Sequence, residues 1–284
     1  MSTTATGPAI APFDPAFAIN VMLPLAQAAY DVALGNTLVL PDGFNFNGKI
    51  KVDEVQFLAA MATAAASQRR MLDAMKVDGN IFGLTAVNAA TKTVVASFRG
   101  TQTLEDWLAD FDFVAIPYEC VQHAGNVHMG FQLVYHAVRN SVKQLVGQAL
   151  AAGCQNIWVT GHSLGAALAL LCAPDLVSNV SKTVVPRLYT FAGPRVAQND
   201  ILQPGFQQLF DTLIPLCYRM VNRWDKVPDL PPKIVFYEHV GHGVLLDGEF
   251  TLDLAKAHSL QESYLPGLKK LLTPEGPSLI RKVS

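Results

Sequence analysis

The stretch "CQNIWVTGHSLGAALALLCA" (154–173) limits the possible fold more than any other part of the chain. Its first half reads as a strand, because Ile157, Val159 and Thr160 are β-branched and Trp158 is aromatic. From Leu164 onward it is rich in Ala and Leu and reads as a helix. No loop separates the two, so the chain must turn sharply at Ser163. Gly161 and Gly165 let strand and helix backbones pass close together, while the Ser163 hydroxyl is pushed outward in a strained turn. Gly-x-Ser-x-Gly between a strand and a helix is the pattern of a nucleophile elbow.

The flanks extend this unit. Residues 130–153 repeat apolar positions every three or four places and close at Gly153, a helix feeding the elbow strand. "NIFGLTAV" and "KTVVASF" read as a hairpin-like strand pair, and "RLYTFAG" and "LCYRMVN" as later strands. Strands alternating with helices predict a mostly parallel sheet covered on both faces. Residues 52–75 read as a helix, and 1–75 as a mainly helical region packed on a single domain spanning 1–284; no linker-like tract divides the chain. Only 15% of residues are charged and the net charge is -2, which offers nothing to a nucleic-acid backbone.

The first basic residue is Lys49, so no positively charged leader is read. A cytoplasmic protein, export without a signal, or a mature secreted form all remain open. Asn20, Pro24, Gln27 and Asp31 interrupt the apolar stretch "FAINVMLPLAQAAYDVAL", which argues against a transmembrane segment. Cys120, Cys154, Cys172 and Cys217 lack metal-ligand spacing, and free buried thiols are expected rather than disulfides.

A serine nucleophile needs a base, and the base needs an orienting group. Downstream, "YRMVNRWDKVPDLPP" offers Asp225 just past a strand end, preferred over its rival Asp229, which lies further into the loop. For the base, His258 at the start of a final helical stretch is preferred over His239 and His242 in "YEHVGHGVLL". Those two are three apart in an extended segment, point to opposite faces and are poorly placed to share a metal. His162 is expected to be held facing elsewhere. The amide of Leu164 is the natural first oxyanion donor. Thr101, after the strand end and Gly100 in "ASFRGT", is the second.

In "TLEDWLADFDF", Leu104, Trp107, Leu108 and Phe111 fall on one helical face, with Glu105, Asp106, Asp110 and Asp112 on the other. Three residues beyond the oxyanion turn, such a helix is expected to act as a lid that covers the site or turns toward a lipid–water interface.

Taken together, "FRGT", "LEDWLAD", "VHMGF", "VTGHSLGAALA", "VNRWDKVPDLPP" and "AHS" resemble the class 3, or fungal-type, lipase family over roughly residues 80 to 260. The resemblance implies an α/β-hydrolase fold with a mostly parallel central sheet, helices on both faces and a short helical lid. It implies no cofactor, no metal, and hydrolysis of triacylglycerols or other lipid esters by Ser163, Asp225 and His258, with Thr101 and Leu164 as oxyanion donors. Trp107 matches the family's lid tryptophan, and Phe113 and Val227 would line the acyl groove. An esterase for soluble or aromatic (feruloyl-type) esters is the alternative, separable by chain-length preference. A non-catalytic binding scaffold is a remoter one, since such a module has no need for an intact triad.

Overall fold

Residues 93–98, Thr-Val-Val-Ala-Ser-Phe, are buried along their whole length and alternate between two faces. Val94, Ala96 and Phe98 enter one hydrophobic cluster and Val95 the other. Ser97 donates its hydroxyl to the Leu25 carbonyl at 2.7 Å. A strand apolar on both sides must lie inside a sheet with helices on each face. The computed structural model, which describes residues 11–64, 69, 72, 80–101, 112–199, 205–273 and 281–283, has that arrangement.

Strands β1 (Asn45–Lys51), β2 (Ile81–Asn88) and β3 (Thr93–Phe98) are followed by the short β4 (Ala115–Pro117) and β5 (Asn126–His128). Next come β6 (Asn156–His162), β7 (Arg187–Phe191), β8 (Ala197–Gln198), β9 (Cys217–Asn222), β10 (Tyr237–Glu238), β11 (His242–Leu246) and β12 (Arg281–Val283). The main sheet runs β1-β2-β3-β6-β7-β9-β11-β12. From β3 to β11 neighbours are parallel; β1, β2 and β12 join antiparallel at the edges. A small antiparallel sheet, β10-β8-β5-β4, stands beside it. β1 was not anticipated: "NFNGKIK" is polar and mostly exposed, and carries no apolar alternation to read.

The helices are α1 (Leu23–Leu34), α2 (Glu54–Thr63), α3 (Met129–Ala151), α4 (Leu164–Asn179), α5 (Phe206–Leu213), α6 (Leu254–His258) and α7 (Leu265–Lys270). A π-helical turn, Leu260–Tyr264, links the last two. On one face α2, α3, α4 and α5 cover the sheet; on the other lie α1 and the C-terminal helical segments. α4 is apolar all round and correspondingly buried on almost every side.

The helical run Pro15–Leu34 is, by length and composition, long and apolar enough to cross a membrane, its polar interruptions notwithstanding. In this fold its inner side, with Met22, Leu25 and Ala26 fully buried, packs on the sheet. Burying a Leu or Met side chain in this way stabilises by roughly 1.5–3 kcal/mol. All four cysteines are free; Cys120, Cys172 and Cys217 are buried and Cys154 half-buried.

Candidate active site

The turn between β6 and α4 is built by steric necessity. A Cβ on Gly161 would lie 2.2 Å from the Gly165 carbonyl oxygen, and one on Gly165 would lie 2.2 Å from that of Phe98. Backbones this close admit only glycine at both positions. Ser163 between them has φ +59° and ψ -128°, a conformation that costs on the order of 1–3 kcal/mol. Its N–H donates to the Phe191 carbonyl (3.0 Å) and its own carbonyl accepts from Ala166 N–H (3.0 Å), which holds the strained residue in place. Leu164 opens α4, so its amide is among the helix's donors with no intrahelical acceptor.

Asp225 sits in the turn after β9, its N–H bound to the Asn222 carbonyl at 3.0 Å. His258, the last residue of α6 rather than the first of a helix, brings Nδ1 to 2.8 Å from Asp225 Oδ2. Tyr264 donates to the same oxygen at 2.7 Å, and Val227 N–H donates to Oδ1 at 3.0 Å. A carboxylate with three donors has little freedom to turn. It fixes the His258 tautomer, because Nδ1 must carry the hydrogen and Nε2 is left as a lone pair. That Nε2 is buried and has no hydrogen-bond partner.

Asn222 completes the frame by donating from Nδ2 to the Ala257 carbonyl at 2.8 Å, fixing the residue before the histidine. Burial, then the neighbouring Asp225 charge, push the Tyr264 phenol well above its ordinary range, so it stays a donor. No such bond reaches Asp229: its side chain is 64% exposed and lies 3.8 Å from Lys226.

Thr101 follows Gly100 at the end of β3, and its Oγ1 is buried without a partner. Its neighbour Gly100 is packed directly against the elbow, since a Cβ there would lie 2.8 Å from Ser163 Cβ. Thr101 is thus one residue from the packing contact with the elbow; among the described residues its Oγ1 and His258 Nε2 are two of several buried side-chain atoms without a hydrogen-bond partner. Unsatisfied buried polar atoms are uncommon in a native interior.

The other predicted residues divide. Val227 belongs to the core, and it is its backbone that touches Asp225. Phe113 is exposed. Trp107 and the expected lid helix fall outside the described residues; at their edge, buried His128 contacts the Asp112 carbonyl through Nε2 at 2.6 Å. His239 is buried against the Pro228 carbonyl, and His242 packs beside Tyr218, so the pair does not converge. Among the described residues no group of three His, Cys, Asp or Glu side chains is placed to hold a metal ion.

His162 is engaged at both ring nitrogens by residues other than Ser163. Nδ1 lies 2.8 Å from Tyr30 Oη, and Nε2 lies 2.8 Å from the His258 carbonyl. Tyr30 and Tyr264 were missed in the sequence, because each lies in a helical stretch where an aromatic reads as core and its hydrogen-bond partner is distant in sequence.

A parallel sheet with helices on both faces, a serine elbow and an Asp–His pair at the strand ends define an α/β hydrolase. Residues 95–235, about half of the chain, match the family model described as lipase (class 3), and the chain belongs to that family. It is similar to a lipase of Rhizomucor miehei, 36% identical over 162 residues that cover 56% of this chain and 43% of that one. It is also similar to phospholipase A1-II 1 of Oryza sativa subsp. indica, 29% identical over 226 residues, 68% of this chain and 56% of that one. The chain therefore spans about half the length of the curated relatives it matches. Among solved structures, it resembles a triacylglycerol lipase whose catalytic centre is a serine protease triad, with a TM-score of 0.60 and 26% identity over 79% of this chain and 77% of that one.

Proposed function

We propose that this protein is a serine carboxylic-ester hydrolase acting on lipid esters, with triacylglycerols as the leading substrate class. The observation that carries the reading is His258: Nδ1–H is bound to Asp225, Nε2 is buried and unpartnered, and its backbone carbonyl is bound by His162, the residue before Ser163. In the reaction, Ser163 Oγ attacks the ester carbonyl carbon as His258 Nε2 takes its proton. The carbonyl oxygen becomes an oxyanion held by the Leu164 amide and by Thr101, whose hydroxyl gains the partner it lacks. The C–O bond breaks and the alcohol leaves with the proton from His258. Water, deprotonated by the same nitrogen, then releases the acid from the acyl-serine.

Trp107 on the lid, with Phe113 and Val227, is assigned to the acyl chain, and the lid to transient contact with a lipid–water interface. Relatives that act on lipids, among them the triacylglycerol lipase and the phospholipase A1, support this substrate class.

The test is a series of p-nitrophenyl and glycerol esters from short to long acyl chain, with Ser163→Ala as control. Ser163→Ala is expected to lose activity by about 10⁵–10⁶-fold; more than a trace left in that variant would disprove the nucleophile. Preference for long chains, with a rise in rate beyond the solubility limit, is expected. A preference for short or aromatic esters with smooth saturation would make the protein an esterase instead.

A further inference from the structure

The elbow histidine and a tyrosine from the N-terminal helix, neither of which belongs to the triad, are bonded to both sides of it. Tyr30 Oη accepts the Gly100 N–H at 2.9 Å and lies 2.8 Å from His162 Nδ1. His162 Nε2 lies 2.8 Å from the His258 carbonyl oxygen. A carbonyl only accepts, so His162 Nε2 carries the hydrogen, Nδ1 is a lone pair, and the Tyr30 hydroxyl is its donor. The directions follow without ambiguity: Gly100 N–H to Tyr30 Oη, Tyr30 O–H to His162 Nδ1, and His162 Nε2–H to the backbone of His258.

The chain of bonds joins four segments distant in sequence. Gly100 precedes the oxyanion residue Thr101, His162 precedes the nucleophile, and His258 is the base. Tyr30, on α1, lies outside the 95–235 segment that matches the family, as does His258. Space around the link is tight: a Cβ on Gly100 would lie 2.6 Å from Tyr30 Oη and 2.9 Å from the His162 carbonyl oxygen.

We infer that Tyr30 and His162 are positioning residues, a relay that sets the oxyanion turn and the base backbone at fixed distances from the Ser163 elbow. The inference rests on the ester-hydrolase reading above. The relay requires His162 to stay neutral in one tautomer. Among the described residues, the titratable groups with rings packed around it are Tyr30, His258 and Tyr264. Burial, then the nearby His258, hold it well below the ordinary histidine range. Neither residue touches the reacting atoms; each acts through the geometry of its partners, where a misplacement of about 1 Å costs about 100-fold in rate.

The experiment compares His162→Leu, His162→Gln and Tyr30→Phe by kcat and KM on p-nitrophenyl butyrate, with thermal melting of each. His162→Leu is expected to lower kcat about 100-fold with KM within about 3-fold. Gln carries a donor and an acceptor at its tip and is expected to restore kcat to within about 5-fold of the parent. Tyr30→Phe removes one oxygen atom and is expected to lower kcat about 10-fold even if the leucine variant does not fold. A folded leucine or phenylalanine variant with unchanged kcat overturns the relay, as does a loss that tracks melting temperature alone with no rescue by Gln.

If the parent hydrolyses no ester, the ester-hydrolase reading fails by itself. ¹⁵N imidazole spectra then decide the relay: the Nε2–H tautomer of His162, unchanged between about pH 5 and 8, supports it, and titration there or the other tautomer overturns it.

Discussion

The turn after β6 presents Ser163 and the turn after β9 presents Asp225, and the two are held by different means. The serine turn is fixed by contact between backbones, through Gly161 against Gly165 and Gly165 against Phe98. The aspartate turn is fixed by hydrogen bonds from residues up to 39 positions away, notably Tyr264 and His258. Close packing is intolerant of a single added carbon, whereas a hydrogen-bonded carboxylate can lose one donor and keep others. The first turn is therefore expected to fail outright when altered, and the second by degrees.

Gly161→Ala is the severest trial of that contrast. It is expected to cost about 4 kcal/mol or more in urea unfolding, and a loss under about 1 kcal/mol would mean that the elbow is not sterically locked. At the other turn, Asp225→Asn is expected to leave a folded protein whose kcat is down about 10⁴-fold; ester hydrolysis near the parental rate would refute the role of Asp225. Tyr264→Phe removes one of three donors and is expected to destabilise by about 1.5–3 kcal/mol and to slow turnover far less than Asp225→Asn. Equal loss in the two variants would erase the graded behaviour.

Buried histidines give a pH dependence of definite sign. Burial lowers His128 to about 4 and depresses His162, His239 and His136 as well. Unfolded histidine titrates near about 6.5, so the unfolded chain binds more protons below that value. Stability from these groups is full above about pH 6.5 and falls as the pH drops toward 4; a melting temperature flat across that window would contradict it. Asp229→Asn should do least: an exposed carboxylate beside one lysine is worth about 0–1 kcal/mol, and a large loss of activity would restore it as a rival acid.

The same contrast explains what could be read from the sequence. β3, β6 and α4 are legible because their apolar patterns are continuous, and Ser163 is legible because its constraint is written within five residues. The choice of Asp225 over Asp229 depended on strand-end position alone; the stronger reason, Tyr264, is a long-range contact with no local trace. β4, β8 and β10 are two or three residues long, too short for any periodicity to show. The partners of the His162 ring were not legible, because they come from α1 and α6, far away in sequence.

The cysteines carry a practical consequence. Burial raises the thiols of Cys120 and Cys217 to about 12 and that of Cys172 well above its usual range; it raises Cys154 as well, but that residue is only half-buried and keeps access to solvent. Thiol reagents attack the thiolate, so Cys154 reacts in the native molecule and the other three react as the domain opens. Counting labelled sulfurs against time turns the protein into its own stopwatch for unfolding, with no cysteine to introduce and no disulfide to reduce first.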